Sequence, residues 1–309
     1  MINNLHAPFN YAVVNRRKFI AAALQGAGAL AVTGLPVLSM ANNSMTAKQL
    51  TVQQVINLIL KEGNLTPIPN TVDTIKVGDG NQQVTGIVTT MFATIAVIEA
   101  AAKLNANFII AHEPTFYNHL DDKGWVKDNT VVKQKLQLLD KYKIAVWRFH
   151  DYCHALQPDA IMYGVAKKAG WLPYFKANES MLTIPAISLE QLAQQLKSSL
   201  GIQHVRVIGN LSQQCTRIAL LPGAWGGQHQ VSTVEKEKPD VLIAGEVVEW
   251  ETVEYMRDAK LLGGKTGLIV LGHTASEDPG MEWIVDWLQP KLPGITVTHI
   301  ASGDPFVWL

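Results

Sequence analysis

The chain has 309 residues, with 26 basic and 26 acidic side chains and a slightly positive mean hydropathy. This length suits one or two globular domains with a substantial core. The balanced charge, with no basic patch or charge run, argues against nucleic acid or an anionic membrane as the main partner.

The first segment has the three-part pattern of an export signal. Residues 15–18 (Asn-Arg-Arg-Lys) precede an uncharged stretch at 21–38, and residues 39–41 (Ser-Met-Ala) place small side chains at a cleavage site. The paired arginines resemble the twin-arginine type. We therefore expect residues 1–41 to be a cleaved twin-arginine signal peptide and the mature protein to be periplasmic or otherwise exported, without stable membrane insertion. The alternative is an uncleaved membrane anchor, which the glycines and proline of the stretch disfavour.

The rest of the chain alternates predicted strands and helices, a pattern typical of α/β proteins with largely parallel sheets. In chain order the predicted elements are helix 46–62, strands 72–77 and 84–88 around a turn at 78–81, helix 92–104, strand 108–111, helix 133–142, strand 144–149, helix 160–169, strand 181–184, helix 189–200, strands 205–208 and 218–221, a helix after the 223–227 loop, strand 241–244, helix 249–262, strand 267–271, helix 279–288 and strand 295–300. We expect two α/β domains with mixed, largely parallel sheets. The first spans 46–172 and is completed by 272–309, and the second spans 173–271.

A buried strand is predicted at residues 108–111, because a short apolar run is bounded there by polar residues. The run ends in His112-Glu113-Pro114. Pro114 biases Glu113 towards an extended backbone, so the chain leaves the strand without entering a helix at once. An imidazole and a carboxylate at a strand end fit a metal or acid–base site. The alternative is a polar loop with one surface histidine and one surface glutamate.

Other predicted strands also end in polar segments. In open α/β sheets the ligand site lies beyond the carboxyl ends of the strands. The segments that follow these strands are residues 150–154 (His-Asp-Tyr-Cys-His), Gly245-Glu246, and residues 272–280, which contain His273 and Glu277. Together with His112 they hold four of the nine histidines. This clustering favours a metal or acid–base centre between the domains, but it does not fix which histidines bind.

The position of His273 and Glu277 depends on where the last helix begins. Asp278-Pro279 has the pattern of an N-cap followed by proline in the first turn, which predicts a helix start there. His273 and Glu277 would then lie in the connection between strand and helix. Imidazole and carboxylate ligands suit zinc, manganese or iron without discriminating among them. The alternatives are a helix-start carboxylate stabilised by the dipole and a buried, hydrogen-bonded imidazole.

Taken together, these segments resemble the NGG-one-interacting-factor-three-like family, the dinuclear metal-centre hexameric proteins, some of which are described as type 2 GTP cyclohydrolase-like. The resemblance runs from about residue 50 to residue 309. It is sharpest around Ala-His-Glu-Pro-Thr-Phe at 111–116, and in the Gly-His-x-x-x-Glu pattern at 272–277 followed by Pro-Gly-Met. It is thin through 172–215.

The resemblance implies a ring-shaped homohexamer of two-domain α/β subunits with two divalent metal cations per subunit. It places ligands at His112, His273 and Glu277. Two positions depart from the family pattern, because Glu113 stands where a second histidine is usual and His154 stands where an aspartate is usual. Both replacements are able to bind a metal, so the expected ligand set is His112, Glu113, His154, His273 and Glu277. Asp151 or His150 is a further candidate, either as a metal ligand or as a hydrogen-bond partner of a ligand.

The leading functional hypothesis is therefore an exported, metal-dependent hydrolase that uses a metal-activated water on an unknown small-molecule substrate. Glu246 or Asp151 is the expected general base. The alternative is a non-catalytic, ring-forming metal-binding or scaffold protein. A GTP cyclohydrolase is the third hypothesis, which export to a compartment without nucleotide pools disfavours.

Overall fold

The computed structural model describes residues 49–307 and residue 309. The predicted signal peptide lies outside these residues. Across the described part of the chain, no helix is both long and apolar enough to cross a membrane. Cys153 and Cys215 are both buried and free.

Helices and strands alternate along the described chain. The helices are α1 Val52–Glu62, α2 Ile95–Lys103, α3 Thr130–Lys141, α4 Asp151–Ala155, α5 Ala160–Lys168, α6 Leu189–Leu200, α7 Gly227–Glu237, α8 Glu254–Leu261 and α9 His273–Leu288. The strands are β1 Ile75–Val77, β2 Ile87–Thr90, β3 Phe108–Ala111, β4 Ala145–Arg148, β5 Met181–Ser188, β6 Arg206–Ile208, β7 Gln214–Leu221, β8 Val241–Ala244, β9 Gly267–Val270 and β10 Val297–His299. A short π-helix, Glu249–Val253, precedes α8.

The first sheet has the strand order β1-β4-β3-β2-β10, and only the edge strand β1 is antiparallel to its neighbour. Strand β3 is buried along its whole length and pairs in parallel with β2 and β4. Ala111 is in register with Thr90 on one side and with Arg148 on the other. The carboxyl ends of β3 and β4 therefore lie side by side, which brings the segments after them together.

The second sheet has the order β5-β7-β8-β9-β6, with antiparallel strands at both edges and three parallel strands in the centre. Leu221, Ala244 and Val270 are in register at the carboxyl ends of the central strands. The glycine-rich loop, the Glu246 segment and the start of α9 therefore emerge from the same edge of this sheet. Both sheets are α/β in arrangement and largely parallel, in agreement with the predicted fold class.

Helices α5 and α9 pack closely against each other. A Cβ atom added to Gly164 of α5 would lie 2.4 Å from the backbone nitrogen of Gly280 in α9, so only glycine permits this approach. Ile161 and Ile284 join the core of the first sheet, while Val165 joins the core of the second. The crossing of α5 and α9 thus links the two cores and fixes the start of α9 relative to β3 and β4.

Two predicted features are wrong. The segments at 72–77 and 84–88 do not pair around their turn, since β1 pairs with β4 whereas β2 lies between β3 and β10. Strand β2 is fully buried and β1 only partly, so the two take a central and an edge position.

The last helix begins at His273 rather than at Asp278-Pro279, and Pro279 lies inside it. A proline in a helix interior removes one backbone hydrogen bond, but Pro279, Gly280 and Met281 are buried and the backbone of residues 279 and 280 packs against α5, which favours the longer helix. His273 and Glu277 are therefore one turn apart on the same helix face, not in a loop.

Candidate metal centre

Residues from the two sheets meet at one point. His112 and Glu113 follow β3 of the first sheet, whereas His273 and Glu277 lie one turn apart at the start of α9, after β9 of the second sheet. The Nε2 atom of His273 is 3.2 Å from Oε1 of Glu113, although 160 residues separate them in the chain. The structure therefore brings together segments that the sequence shows only as separate strand ends.

Three histidines form one side of this site, which we call the imidazole side: His112, His150 and His154. The ring centroid of His112 is 4.9 Å from that of His150 and 5.1 Å from that of His154, and His150 and His154 are 5.1 Å apart. One ring nitrogen from each lies within 4.8 Å of the other two. Such a triangle of nitrogen atoms is able to hold a single cation.

Each of these three rings is held through its Nδ1 atom by an oxygen that accepts a hydrogen bond. The pairs are His112 with the Phe149 carbonyl at 3.0 Å, His150 with Asp151 Oδ1 at 2.9 Å and His154 with Asp159 Oδ2 at 3.0 Å. A carbonyl oxygen only accepts, so Nδ1 of His112 is the protonated nitrogen. An acceptor on one ring nitrogen leaves the other with its lone pair available for a metal.

Hydrogen bonds to the backbone fix the short segment 150–154, which carries the rings of His150 and His154. The carboxylate of Asp73 accepts hydrogen bonds from the backbone N–H groups of His150, Asp151 and Tyr152 at 2.8, 3.1 and 2.8 Å, and this fixes the start of α4. The other end of the turn is fixed by Asp159. Its Oδ1 caps α5 through the N–H groups of residues 161 and 162, and its Oδ2 holds His154.

The pKa shifts on the imidazole side differ from ring to ring: burial would lower the pKa of His154, but its hydrogen bond to Asp159 raises it. Burial and the neighbouring His112 lower the pKa of His150 to about 4, so this ring is neutral near pH 7. The Nε2 atom of His112 is fully buried, has no hydrogen-bond partner among the described residues and lies 3.6 Å from Oε2 of Glu277. Burying a polar atom without a hydrogen-bond partner destabilises the folded state. A cation bound to this nitrogen would satisfy it.

The opposite side, which we call the carboxylate side, consists of Glu113, Glu277 and His273. His273 Nε2 is 3.0 Å from Oε2 of Glu277, and Glu113, Glu277 and His112 offer a second group of possible ligand atoms within 4.8 Å of one another. Gly223 makes room for Glu277, since a Cβ at that position would clash with the carboxylate. This glycine of the 223–227 loop is therefore part of the site.

The carboxylate side is charge-balanced from within. Burial alone would lower the pKa of His273, but its hydrogen bonds to Glu113 and Glu277 raise it to about 11. Burial would raise the pKa of Glu277, but the neighbouring His112 and His273 hold that pKa well below its usual range. The pKa of Glu113 is also lowered, because its interactions with His273 and His112 outweigh burial.

The two predicted general bases lie just behind the histidines. Oδ1 of Asp151 holds His150, and its Oδ2 accepts hydrogen bonds from the hydroxyl of Thr71 at 2.7 Å and the backbone N–H of Val72 at 3.1 Å. Both oxygens of Asp151 are thus engaged. Oε2 of Glu246 is 3.0 Å from Nδ1 of His273, and the Glu246 side chain is 56% exposed. Glu246 is therefore the more accessible of the two carboxylates.

All five predicted ligands lie in this cluster: His112, Glu113, His154, His273 and Glu277. His150, left open by the sequence, completes the imidazole side. Three participants were missed. Asp159 holds His154, Arg148 contacts Glu113, and Asp73 fixes the start of α4. The pattern Asp-Ala before an apolar helix marks Asp159 as an N-cap, but nothing in the sequence ties it to His154.

The donor set fits a metal ion. Imidazole nitrogens together with a buried carboxylate are ligands for zinc, manganese or iron in proteins. The residues that would hold one cation are His112, His150 and His154, and those that would hold a cation at an adjoining position are His112, Glu113 and Glu277. The buried groups thus support metal binding.

Several known sequences are similar to this chain. The GTP cyclohydrolase 1 type 2 homolog of Clostridium perfringens (strain 13 / Type A) is 24% identical over 254 residues, covering 76% of this chain and 90% of that protein. The homolog of the same name from Salmonella typhimurium is 24% identical over 238 residues, covering 74% of this chain and 88% of that protein.

Solved structures share the fold. The Staphylococcus aureus protein SA1388 superposes with a TM-score of 0.67 at 19% identity, covering 84% of this chain and 100% of that chain. The Bacillus cereus protein related to NIF3 superposes with a TM-score of 0.66 at 15% identity, covering 85% of this chain and 100% of that chain. A family model for Duf34/NIF3 (NGG1p interacting factor 3) matches residues 73–305, which is most of the chain. The protein belongs to the Duf34/NIF3 family.

Proposed function

We propose that this protein is an exported, metal-dependent hydrolase that binds two divalent cations per subunit and acts on a small-molecule substrate. The observation that supports this most is the arrangement of His112, His150 and His154. Each ring is held through Nδ1 by an oxygen, one ring nitrogen from each lies within 4.8 Å of the other two, and Nε2 of His112 lies 3.6 Å from the buried carboxylate of Glu277. Held rings of this kind are typical of metal ligands, whose second nitrogen is oriented by a carboxylate or carbonyl.

The residues divide the work of hydrolysis. A bound divalent cation supplies Lewis acidity and lowers the pKa of water. Glu246, at the exposed rim, accepts the proton of the attacking water, and His273 holds the Glu246 carboxylate through its Nδ1 atom at 3.0 Å. Asp151 acts through His150, which it orients, and is a positioning residue in this scheme. The reaction class is attack of water on a polarised carbonyl, amidine or phosphoryl centre.

Metal analysis and turnover together test this function. The protein is stripped with a chelator, reconstituted separately with zinc, manganese and iron, and dialysed before the metal is counted. Ester, amide, phosphoester and purine substrates are then assayed. We expect at least one equivalent of metal per chain and turnover that a chelator removes and the metal restores. Less than one equivalent after reconstitution would contradict metal binding, and metal binding without any turnover would contradict the hydrolase.

The rival is a non-catalytic metal-binding protein that forms a homohexameric ring. The burial of His112 and Glu277 favours it, since fully enclosed ligands suit a structural ion as well as a catalytic one. Glu277→Ala separates the two functions. Loss of the hexamer in sedimentation, with no activity in the unsubstituted protein to lose, supports the rival. An intact hexamer with a lost activity supports the hydrolase.

A cyclohydrolase acting on GTP is a further candidate, because the similar proteins from Clostridium perfringens and Salmonella typhimurium carry that name. Export of the chain would place it away from nucleotide pools, which disfavours this activity. Opening of the guanine ring of GTP by the metal-loaded protein, monitored by absorbance and mass spectrometry, would make it the preferred function.

A further inference from the structure

Arg148 is a buried cation at the edge of the metal centre. It is the last residue of β4, its side chain is fully buried, and each of its nitrogens contacts an oxygen. Nε donates to the carbonyl of His112 at 3.2 Å, one terminal nitrogen donates to the carbonyl of His119, and the other lies 3.2 Å from Oε2 of Glu113. The guanidinium is thus fixed in place and directed at one carboxylate of the site.

The contact with Arg148 makes the Glu113 carboxylate a weaker metal ligand. A guanidinium stays protonated at every accessible pH, so its positive charge is permanent. One oxygen of Glu113 is already paired with Arg148, and Oε1 is 3.2 Å from His273. A cation that approached Glu113 would meet a carboxylate whose charge is already balanced and a fixed like charge behind it, in a buried place where screening is weak.

The imidazole side has no such competitor among the described residues. Its three Nδ1 atoms bond to the Phe149 carbonyl and to the carboxylates of Asp151 and Asp159, and none of these acceptors is a partner of Arg148. The second charge near Arg148 is Asp121, whose Oδ2 is 3.7 Å from the guanidinium. Glu113 and Asp121 are therefore the carboxylates that face Arg148, with Asp121 shared with Lys76 at 3.6 Å, and the oxygens that hold the three imidazoles are separate from both.

We propose that Arg148 makes the centre unequal: the imidazole side binds one cation tightly, and the Arg148–Glu113 pair weakens the second position. This rests on the metal centre of the proposed function and deepens it. Three imidazoles suit zinc in particular, so zinc is the probe. Arg148 is a specificity-determining residue in this scheme, since it sets how many cations the site holds at limiting metal.

Isothermal titration of the metal-free protein with Zn²⁺ tests the proposal. We expect one tight equivalent per chain and a second at least about 100-fold weaker, as expected for a site facing a like charge. Arg148→Gln keeps an N–H donor near the position of Nε but removes the charge, and it should strengthen the second event by about tenfold or more. The first event should change by no more than about threefold, as for independent sites.

Two further variants keep the test decisive if Arg148→Gln fails to fold. Glu113→Gln removes the carboxylate from the second position, and it should abolish the weak event while leaving the tight one. Arg217→Met removes an exposed arginine that contacts Glu237 and should change neither event. Two equally tight equivalents in the unsubstituted protein, or loss of the tight event in Glu113→Gln, would overturn the proposal but leave metal binding standing. Binding of no zinc at all would instead overturn the proposed function.

Discussion

The two sides of the centre each have three ionisable side chains, but these side chains have different kinds of partner. On the imidazole side, every ring is held from behind by an oxygen, and the buried Nε2 of His112 has no hydrogen-bond partner among the described residues. On the carboxylate side, Glu113 and Glu277 pair with Arg148 and His273. The imidazole rings are therefore oriented by acceptors behind them, whereas each carboxylate of the other side already faces a basic side chain.

This difference shows that nearness of metal-ligating residue types does not by itself define a metal site. What matters is whether the lone pairs that face the centre are already engaged. The acceptors behind the imidazoles come from three different positions, the end of β4, the start of α4 and the cap of α5.

The largest effect is expected for His112→Ala, because His112 belongs to both groups of possible ligands. We expect zinc affinity to fall by more than about 100-fold, beyond the loss typical of residues behind the ligands. Titration calorimetry measures the affinity, and circular dichroism checks that the variant is folded. His229→Ala is the matched control, since His229 stacks on the exposed Trp225 at 4.8 Å. Unchanged affinity in a folded His112→Ala protein would show that the imidazole side is not the site.

A smaller effect is expected for Asp159→Asn. Asparagine keeps an oxygen to cap α5, but the anionic acceptor that holds His154 Nδ1 at 3.0 Å is lost. Zinc affinity should fall about 10- to 100-fold, with little change in thermal stability. Asp122→Asn is the control, because Asp122 is exposed and caps only the turn at Gly124. Equal affinities for the two variants would mean that orientation of His154 is unimportant.

The carboxylate side predicts a pH dependence of stability in the metal-free protein. The pKa of His273 rises from 6.5 to about 11 on folding, so the folded state binds more protons between these values. Stability from this group is full below about pH 6.5 and is lost as the pH rises towards 11, with a slope of at most about 1.4 kcal/mol per pH unit. Denaturant unfolding with a chelator present measures it. His273→Gln should flatten this slope, and an unchanged slope in that variant would contradict the assignment.

The smallest effect on metal binding is expected for Glu246→Gln. Glu246 is largely exposed and reaches the centre only through His273. Zinc affinity should change by less than about threefold, whereas turnover of the hydrolysed substrate should drop by about 100-fold or more, as for loss of a general base. Zinc titration and single-substrate kinetics on the same preparation measure the zinc affinity and the turnover. A large loss of affinity would make Glu246 a ligand instead of a base.

Much of this site could be predicted from the sequence, because the ends of several strands are clear there. Strands such as β3 and β8 have clear boundaries because they are short, wholly apolar and bounded by polar residues. The rule that ligand sites lie beyond strand carboxyl ends then selects the segments at His112, at 150–154 and at Glu246. These segments all reach the same centre in the structure.

Other features depend on packing that the sequence does not show. Pro279 predicts a helix start, but burial against α5 carries the helix back to His273. Arg148 is part of an apolar strand, so its role depends on which carboxylate the neighbouring strand presents. Asp159 looks like an ordinary cap, and its second oxygen is available to His154 only because α4 is a single short turn.

An anomalous-scattering map, recorded at the zinc absorption edge from crystals with one zinc equivalent per chain, locates the tightly bound cation. We expect one strong peak on the imidazole side, about 2.0–2.1 Å from a nitrogen of each of His112, His150 and His154. A strongest peak held by Glu113 and His273 instead, with His150 and His154 out of bonding range, would contradict it.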